Sequence, residues 1–229
     1  MNPSAAVRAL PSRAALSDSV YDALRASIVD GGYGPDEPVR IDVVARELEV
    51  SQTPVREALA RLEATGLVVR AALRGYRVAP LQSDEQIDDL IETRLAIEPL
   101  AAARTASVAD PAVLEGLAET IRELGSVPTG LGRDAMAAYW RWDERFHELL
   151  AEGSGNDYLL AAYRALGGHV QRFRLMGDSG ITDATDAARE HAAILEAVVS
   201  GDAERAGAAM REHIEAVRDR SHRERTARR

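Results

Sequence analysis

Residues 50–68 read VSQTPVREALARLEATGLV, and the organisation of the first third of the chain follows from them. Ser51 suits a helix N-cap, and Pro54 fits the first turn of the helix that follows. Val55, Leu59 and Leu62 recur at helical spacing and predict a buried stripe; Thr65-Gly66 ends the helix. Upstream, a helix is expected at about Asp42–Leu48 with Val43, Val44 and Leu48 inward, joined to the next by the short turn Glu49-Val50. Earlier still, Asp18 or Ser19 can cap a helix carrying Val20, Leu24 and Ile28 that closes near Gly31-Gly32, and GGYGPDEP (31–38) reads as punctuation. Downstream, LVVRAALRGYRVAP (67–80) predicts two short strands joined by a turn at Leu73–Gly75. Three helices followed by a hairpin is the order of a winged helix-turn-helix, and the tight link before Ser51 fits the turn it needs.

In that arrangement the helix after Ser51 is the recognition helix, and its N-terminal residues Ser51, Gln52, Thr53 and Arg56 reach base edges. Gln reads adenine through two hydrogen bonds, and Arg reads guanine or grips phosphate. Arg74 and Gly75, at the hairpin tip, suit entry into a minor groove. The pattern alone leaves open a small packing unit with solubilising surface Arg. The residues themselves add to it. Ser51, Thr53, Pro54, Val55, Arg56, Glu57, Ala58, Leu59, Leu62, Gly66 and Leu67 stand as in the GntR family of bacterial transcription regulators, which this segment closely resembles. Many members of that family carry Arg where this chain has Gln52, so the base preference at that point is its own.

From Ser83 onward the pattern is helical, with stretches at about 84–106, 111–124, 132–152, 156–176, 184–199 and 203–220. Breaks fall at Asp110-Pro111, Val127–Gly132, Gly153–Asn156, Gly177–Gly180 and Ser200–Asp202, and Ser83 and Asp202 suit N-caps. Amphipathic helices with short links predict a bundle. The expected fold is therefore mainly α: an N-terminal winged helix-turn-helix (18–80) and a C-terminal all-helical bundle (83–220), with a loose tail at 1–17 and a charged tail at 221–229.

The bundle segment carries most of the chain's five histidines at suggestive spacing. Asp143 and His147 lie one turn apart on one helix face. His191 stands nine residues before Ser200 and His213 eleven after Asp202, so reversal of the chain between them brings both to similar heights, offset by a few ångström at ~1.5 Å per residue. Convergence of these four residues would make a site for zinc, nickel, manganese or iron, whose tastes match three imidazoles and a carboxylate; calcium's do not. Each could equally be a buried His satisfied by a hydrogen bond.

Asp143–His147, the Gly153–Asn156 link, Glu190-His191, Gly201-Asp202 and His213 resemble the FCD effector domain of FadR-like GntR regulators over about residues 84–220; Arg94 and Glu98 match its opening helix. The resemblance implies a divalent metal, zinc first, held by Asp143, His147, His191 and His213, and a small organic acid as effector. Arg94 is the first candidate to clamp its carboxylate, with an i,i+4 pair to Glu98 as the alternative; Asn156, Arg145, Arg172 and Arg174 are lesser candidates. His169 and His222 have no counterpart in the ligand set.

Composition agrees with this outline. The 229 residues contain no Cys, which excludes disulfides, thiolate metal sites and thiol nucleophiles. All 28 basic residues are Arg; residues 1–80 hold ten Arg and ten acids, so the net charge of −9 falls entirely on residues 81–229. A nucleic-acid partner therefore meets the first third, through local Arg placement rather than total charge. No apolar stretch approaches the ~20 residues needed to span a bilayer, and the N-terminus lacks a secretory pattern, so a cytoplasmic protein with no membrane partner is expected. H-E-x-x-H, a phosphate loop and a nucleophile elbow are all absent, and an enzyme is not expected. The resulting expectation is a homodimeric repressor on pseudo-palindromic operator DNA, released by its effector, with a purely structural metal as the alternative and a metal-dependent hydrolase as a remote one.

Overall fold

A computed structural model describes residues 13–71, 75–128, 133–174 and 184–227. The element order is α1 (Arg13–Val29), β1 (Pro38–Val39), α2 (Ile41–Glu47), α3 (Gln52–Ala64), β2 (Val68–Ala71), β3 (Gly75–Val78), then α4 (Asp84–Val108), α5 (Pro111–Ser126), α6 (Arg133–Gly153), α7 (Asp157–Arg174), α8 (Ala184–Val199) and α9 (Ala203–Ala227). The first six elements enclose one group of buried apolar side chains, with Val20, Leu24 and Ile28 of α1 against Val55, Leu59 and Leu62 of α3 and Val68 and Val78 of the wing. The remaining helices enclose another, in which Ile87, Leu117, Phe146, Ile194, Met210 and Ile214 each come from a different helix or a different turn.

The α2–α3 turn is tight because Glu49 takes a left-handed conformation (φ 54°) and Val50 N–H donates to Ala45 O at 2.9 Å. Several local expectations need correction. Helix α1 begins at Arg13, inside the segment expected as a tail. Neither Asp18 nor Ser19 caps it: Asp18 pairs with Arg61 of α3 at 2.6 Å, and the Ser19 hydroxyl donates to Ala15 O one turn back. Leu48, expected inward, is 38% exposed, because α2 ends at Glu47 and leaves Leu48 at its C-cap while Val44 and Ala45 take the core. The punctuating segment runs into a strand, β1, whose first residue is its Pro38 and which pairs antiparallel with β3 in the register Val39↔Tyr76, giving a sheet ordered β1-β3-β2. Helix α9 runs to Ala227, through the segment expected as a charged tail.

At the start of the bundle Ser83 forms a full capping box: its hydroxyl accepts from Gln86 N–H at 3.2 Å and Gln86 Oε1 accepts from Ser83 N–H at 3.0 Å. Asp110, Asn156 and Asp202 cap α5, α7 and α9 more simply, each side-chain oxygen accepting from a backbone N–H of the first turn. The caps fix where each helix begins, and hence the heights of the side chains they carry into the bundle. Ser83→Ala is expected to cost about 1 kcal/mol of bundle stability. The check is the chemical-denaturation midpoint followed by circular dichroism; an unchanged midpoint would show that the box does not set the start of α4.

Candidate functional site

Helix α3 separates its faces cleanly. Pro54, Val55, Ala58, Leu59 and Leu62 are buried, while Ser51, Gln52, Thr53 and Arg56 are exposed. Ser51 stands at the N-cap with extended backbone (φ −71°, ψ 164°), and its side chain makes no cap hydrogen bond. Arg56 Nη2 donates to Gln52 Oε1 at 3.3 Å, one helical turn apart on the same exposed face. Gly75 at the start of β3 is exposed with φ 81°, a left-handed value that a side chain disfavours. Arg74 lies outside the described residues.

Inside the bundle the structure brings together Asp143 and His147 of α6, His191 of α8 and His213 of α9. One donor atom from each lies within 4.8 Å of the others, and all four residues are buried. The imidazole centroids are 5.2 Å (His147–His191), 5.1 Å (His147–His213) and 4.8 Å (His191–His213) apart. Asp143 Oδ1 lies 3.5 Å from His191 Nε2 and 3.9 Å from His147 Nε2, so both rings turn Nε2 toward the same carboxylate. Phe146 stacks on His191 at 3.9 Å and 6°, which closes that side with an apolar wall.

Carboxylates face the outer nitrogens of two of the three histidines. His147 Nδ1 lies 2.7 Å from Glu98 Oε2 on α4, and His213 Nδ1 lies 2.7 Å from Glu190 Oε2 on α8. A carboxylate facing Nδ1 favours the proton there and leaves the Nε2 lone pair for the interior, the arrangement metal-ligating histidines use. Each carboxylate is in turn gripped by an arginine. Arg94 Nε donates to Glu98 Oε1 at 2.5 Å and Nη2 to Oε2 at 3.3 Å; Arg220 donates to both oxygens of Glu190 at 2.7 and 3.1 Å. Burial alone would raise the Glu98 carboxyl, but Arg94 and His147 outweigh it and hold Glu98 well below the usual carboxylate range. Glu190 is likewise brought down to about 2, burial being overcome by hydrogen bonds from His213 and Arg220. Burial lowers His213, which favours the neutral imidazole that a metal requires. Three imidazoles and a carboxylate, buried and convergent, fit a divalent transition metal.

Of the two sequence alternatives for Arg94, the i,i+4 pair with Glu98 is formed. Asn156 is spent as a helix cap: Tyr158 and Leu159 N–H donate to its Oδ1 at 3.0 and 3.2 Å. It does not border the cavity beside His147, which is walled by Ile97, Glu98, Leu159, Tyr163 and Met210 and has a volume of about 10 Å3, room for one water. Arg145 turns instead to Glu148 and Glu152, and the side chains of Arg172 and Arg174 lie outside the described residues. Sequence reasoning missed two contributors, the contact of Glu98 with His147 and the whole role of Arg220. The first crosses from α4 to α6 and the second is the last residue of the expected closing helix, at the border of the expected tail; only Glu190, adjacent to His191, was signalled by position.

Comparison with known proteins follows the same division. The model described as bacterial regulatory proteins, gntR family, matches residues 16–78, and the FCD domain model matches residues 89–216. A protein from Paenarthrobacter nicotinovorans, described as a probable D-xylose utilization operon transcriptional repressor, is 32% identical over 89% of this chain and 88% of its own length. The repressor GlaR of Escherichia coli K12 is 28% identical over 85% of this chain and 90% of its own. Among solved structures, E. coli McbR/YncC shares the fold with a TM-score of 0.77, at 19% identity over 91% of this chain and 98% of that one.

The charged pair gives a pH prediction. Glu98 has its folded value depressed from an ordinary 4.5, so its contribution is full above that pH. Below it the unfolded chain takes up the proton first, and the contribution is lost as pH falls toward the folded value. Glu98→Gln is expected to flatten the acid-side fall of stability and to cost about 3–5 kcal/mol at neutral pH, because the buried Arg94 guanidinium is left uncompensated. Denaturation midpoints between pH 3 and 7 check both; parallel curves for the two proteins would refute the assignment.

Proposed function

The chain belongs to the GntR family of bacterial regulatory proteins and is a DNA-binding transcription regulator rather than an enzyme, and from that premise we propose that it is a homodimeric, metal-containing repressor of the cytoplasm that a small carboxylate releases from operator DNA. Repression is supported by the relatives described as repressors. No described helix is long and apolar enough to cross a membrane. Residues 18–80 supply the DNA-reading head and 83–220 the sensor. Ser51, Gln52, Thr53 and Arg56 contact the major groove, and Arg74 with Gly75 the minor groove. Two heads related by a two-fold axis match a pseudo-palindromic site.

The observation that carries the sensor reading is the burial of Asp143, His147, His191 and His213 around one point, with carboxylates behind two of the imidazoles. Those four residues hold a divalent ion, zinc first, with nickel, manganese or iron as the other candidates. The bound ion supplies a positively charged, Lewis-acidic seat for an anion. Charge balance points to the ligand class. The carboxylates of Asp143, Glu98 and Glu190 face the guanidiniums of Arg94 and Arg220, a local charge of −1 with neutral imidazoles. A dication turns this to +1, which one carboxylate neutralises. Arg94 serves as its second contact by exchanging Glu98 for the ligand; Asn156, spent as the cap of α7, is not carried forward as an effector contact.

A purely structural ion is the second reading. It is favoured by the pairing of Arg94 with Glu98 and by a cavity of about 10 Å3, which no organic acid enters unless side chains move.

Elemental analysis of untagged protein is expected to find one transition metal per chain, and His191→Ala to lose it along with bundle stability. Unchanged metal stoichiometry in that variant would end the four-ligand proposal. A thermal-shift series of small carboxylates on the loaded protein separates the readings: a rise with one acid supports the sensor, and metal with no response to any acid supports the structural ion. Arg56→Ala is expected to weaken binding to a duplex selected from random sequence by about 1–3 kcal/mol and to leave metal content unchanged. Equal affinity would move DNA reading away from α3.

A further inference from the structure

The DNA-reading head and the bundle meet along a seam that two glycines keep closed. Gly66, just past α3, has φ +78°, and a Cβ there would lie 2.4 Å from His169 Nε2. Gly168, inside α7, lies against the same turn: a Cβ there would lie 2.2 Å from Thr65 O and 2.8 Å from Leu67 N. Cβ atoms do not approach backbone so closely, so any side chain at position 168 must push the end of α3 away from α7. Glycine weakens a helix interior, and α7 carries two in succession, Gly167 and Gly168, at the point where α3 ends against it.

A second contact crosses the seam close by, since a Cβ on Gly167 would lie 3.8 Å from Glu144 Oε1. Arg25 of α1 forms a part-buried ion pair with Glu144 of α6. Glu144 directly follows Asp143 of the buried cluster, and its backbone carbonyl accepts from the Tyr163 hydroxyl at 3.3 Å. Tyr163 borders both the small cavity beside His147 and a cleft of about 540 Å3 between head and bundle, whose walls include Arg25, Arg61, Thr65 and Glu144. Helices α6 and α7, which touch the head here, also carry Asp143, His147 and Tyr163.

We propose that Gly66, Gly168 and His169, together with the Arg25–Glu144 pair, form an interdomain latch that holds α3 in one orientation against α6 and α7. The glycines allow the backbones to meet and the ion pair fixes the rotation about that contact. The latch rests on the family's DNA-binding function alone and not on the metal or effector reading. It sets which presentation of the head is available to DNA, and a change in α6 or α7 reaches the head through it.

The absence of Cys makes the test direct. Spin labels on Ser19→Cys (α1) and Ala193→Cys (α8), both exposed positions, report the head–bundle distance by pulsed dipolar spectroscopy, with labelled chain diluted in unlabelled chain. The wild-type background is expected to give one narrow distribution. Gly168→Ala, which favours the helix but not the seam, is expected to broaden it and shift it to longer distance. Arg25→Glu and Glu144→Arg should each broaden it, and the double swap should narrow it again. Affinity for a duplex selected from random sequence should fall roughly 5-fold or more in the opened variants and recover in the double swap. Metal content and circular dichroism should match wild type throughout, so failure of the metal reading leaves this result untouched. A narrow, unshifted distribution in Gly168→Ala would overturn the latch. Should that variant fail to fold, the charge swaps decide: a double swap no narrower than the single variants would overturn it equally.

Discussion

The bundle is organised around charge that it has to bury. Asp143 and Glu98 are carboxylates inside a helical core and would be prohibitive without partners, and Glu190 stands half-buried beside them. The solution is a chain of contacts that also fixes the helices. Arg94 and Glu98 on α4 reach His147 on α6; Arg220 on α9 grips Glu190 on α8, which holds His213 back on α9; Asp143 lies beside His191. Four helices are therefore indexed to one another by directional contacts, which apolar packing alone does not provide. Buried ion pairs are not reliable sources of net stability, and their contribution here is registration: a slip of α9 by one turn would strand both Glu190 and His213. Phe146, Ile194 and Met210 pack around this centre and keep water from competing with it.

The head solves a different problem with different means. It is small, and its core is closed by α1 laid across α3 and by a three-stranded wing only four residues long at most. Its polar contacts are peripheral, such as Asp18–Arg61 and Arg70–Glu63, both well exposed and worth little by themselves. Nothing in that core registers the head against the bundle. Orientation has to come from the seam, where close backbone approach replaces side-chain interdigitation. That division places rigidity where the buried charges are and leaves one adjustable joint beside them.

What the sequence disclosed tracks how local each determinant is. The bundle helices were legible because capping residues and glycine breaks are local, as at Ser83, Asp110 and Asp202. The convergence of His191 with His213 was legible because an antiparallel reversal turns sequence offset into height. Strand β1 was not: two residues have no period, and Pro38-Val39 became a strand only by pairing with β3. The early start of α1 was hidden because Asp18 is drawn to Arg61, a partner far along the chain, and so does not act as a cap. Glu98 was read within its own helix, whereas its second contact lies on α6. Arg220 was hidden by its charged neighbours, which look like tail until a half-buried carboxylate on α8 gives one of them a partner. The seam glycines carried no signal, since Gly167-Gly168 in a helix announces weakness without saying what approaches.

Electrostatics then explains why the joint needs an ion pair at all. The bundle segment, residues 81–229, carries the whole net charge of −9, and the first 80 residues are neutral. A duplex is repelled by the former and attracted only by the arginine-bearing face of the latter. Screening at physiological salt limits that repulsion to roughly 8 Å, so acidic groups matter only where bundle and head nearly touch. Glu144 is such a group, at the wall of the cleft beside α1, and Arg25 neutralises it there. The contact that fixes the head's rotation thus also removes a negative charge from the side of the head. Breaking it exposes Glu144 while loosening α1, so both consequences act on DNA binding in the same direction.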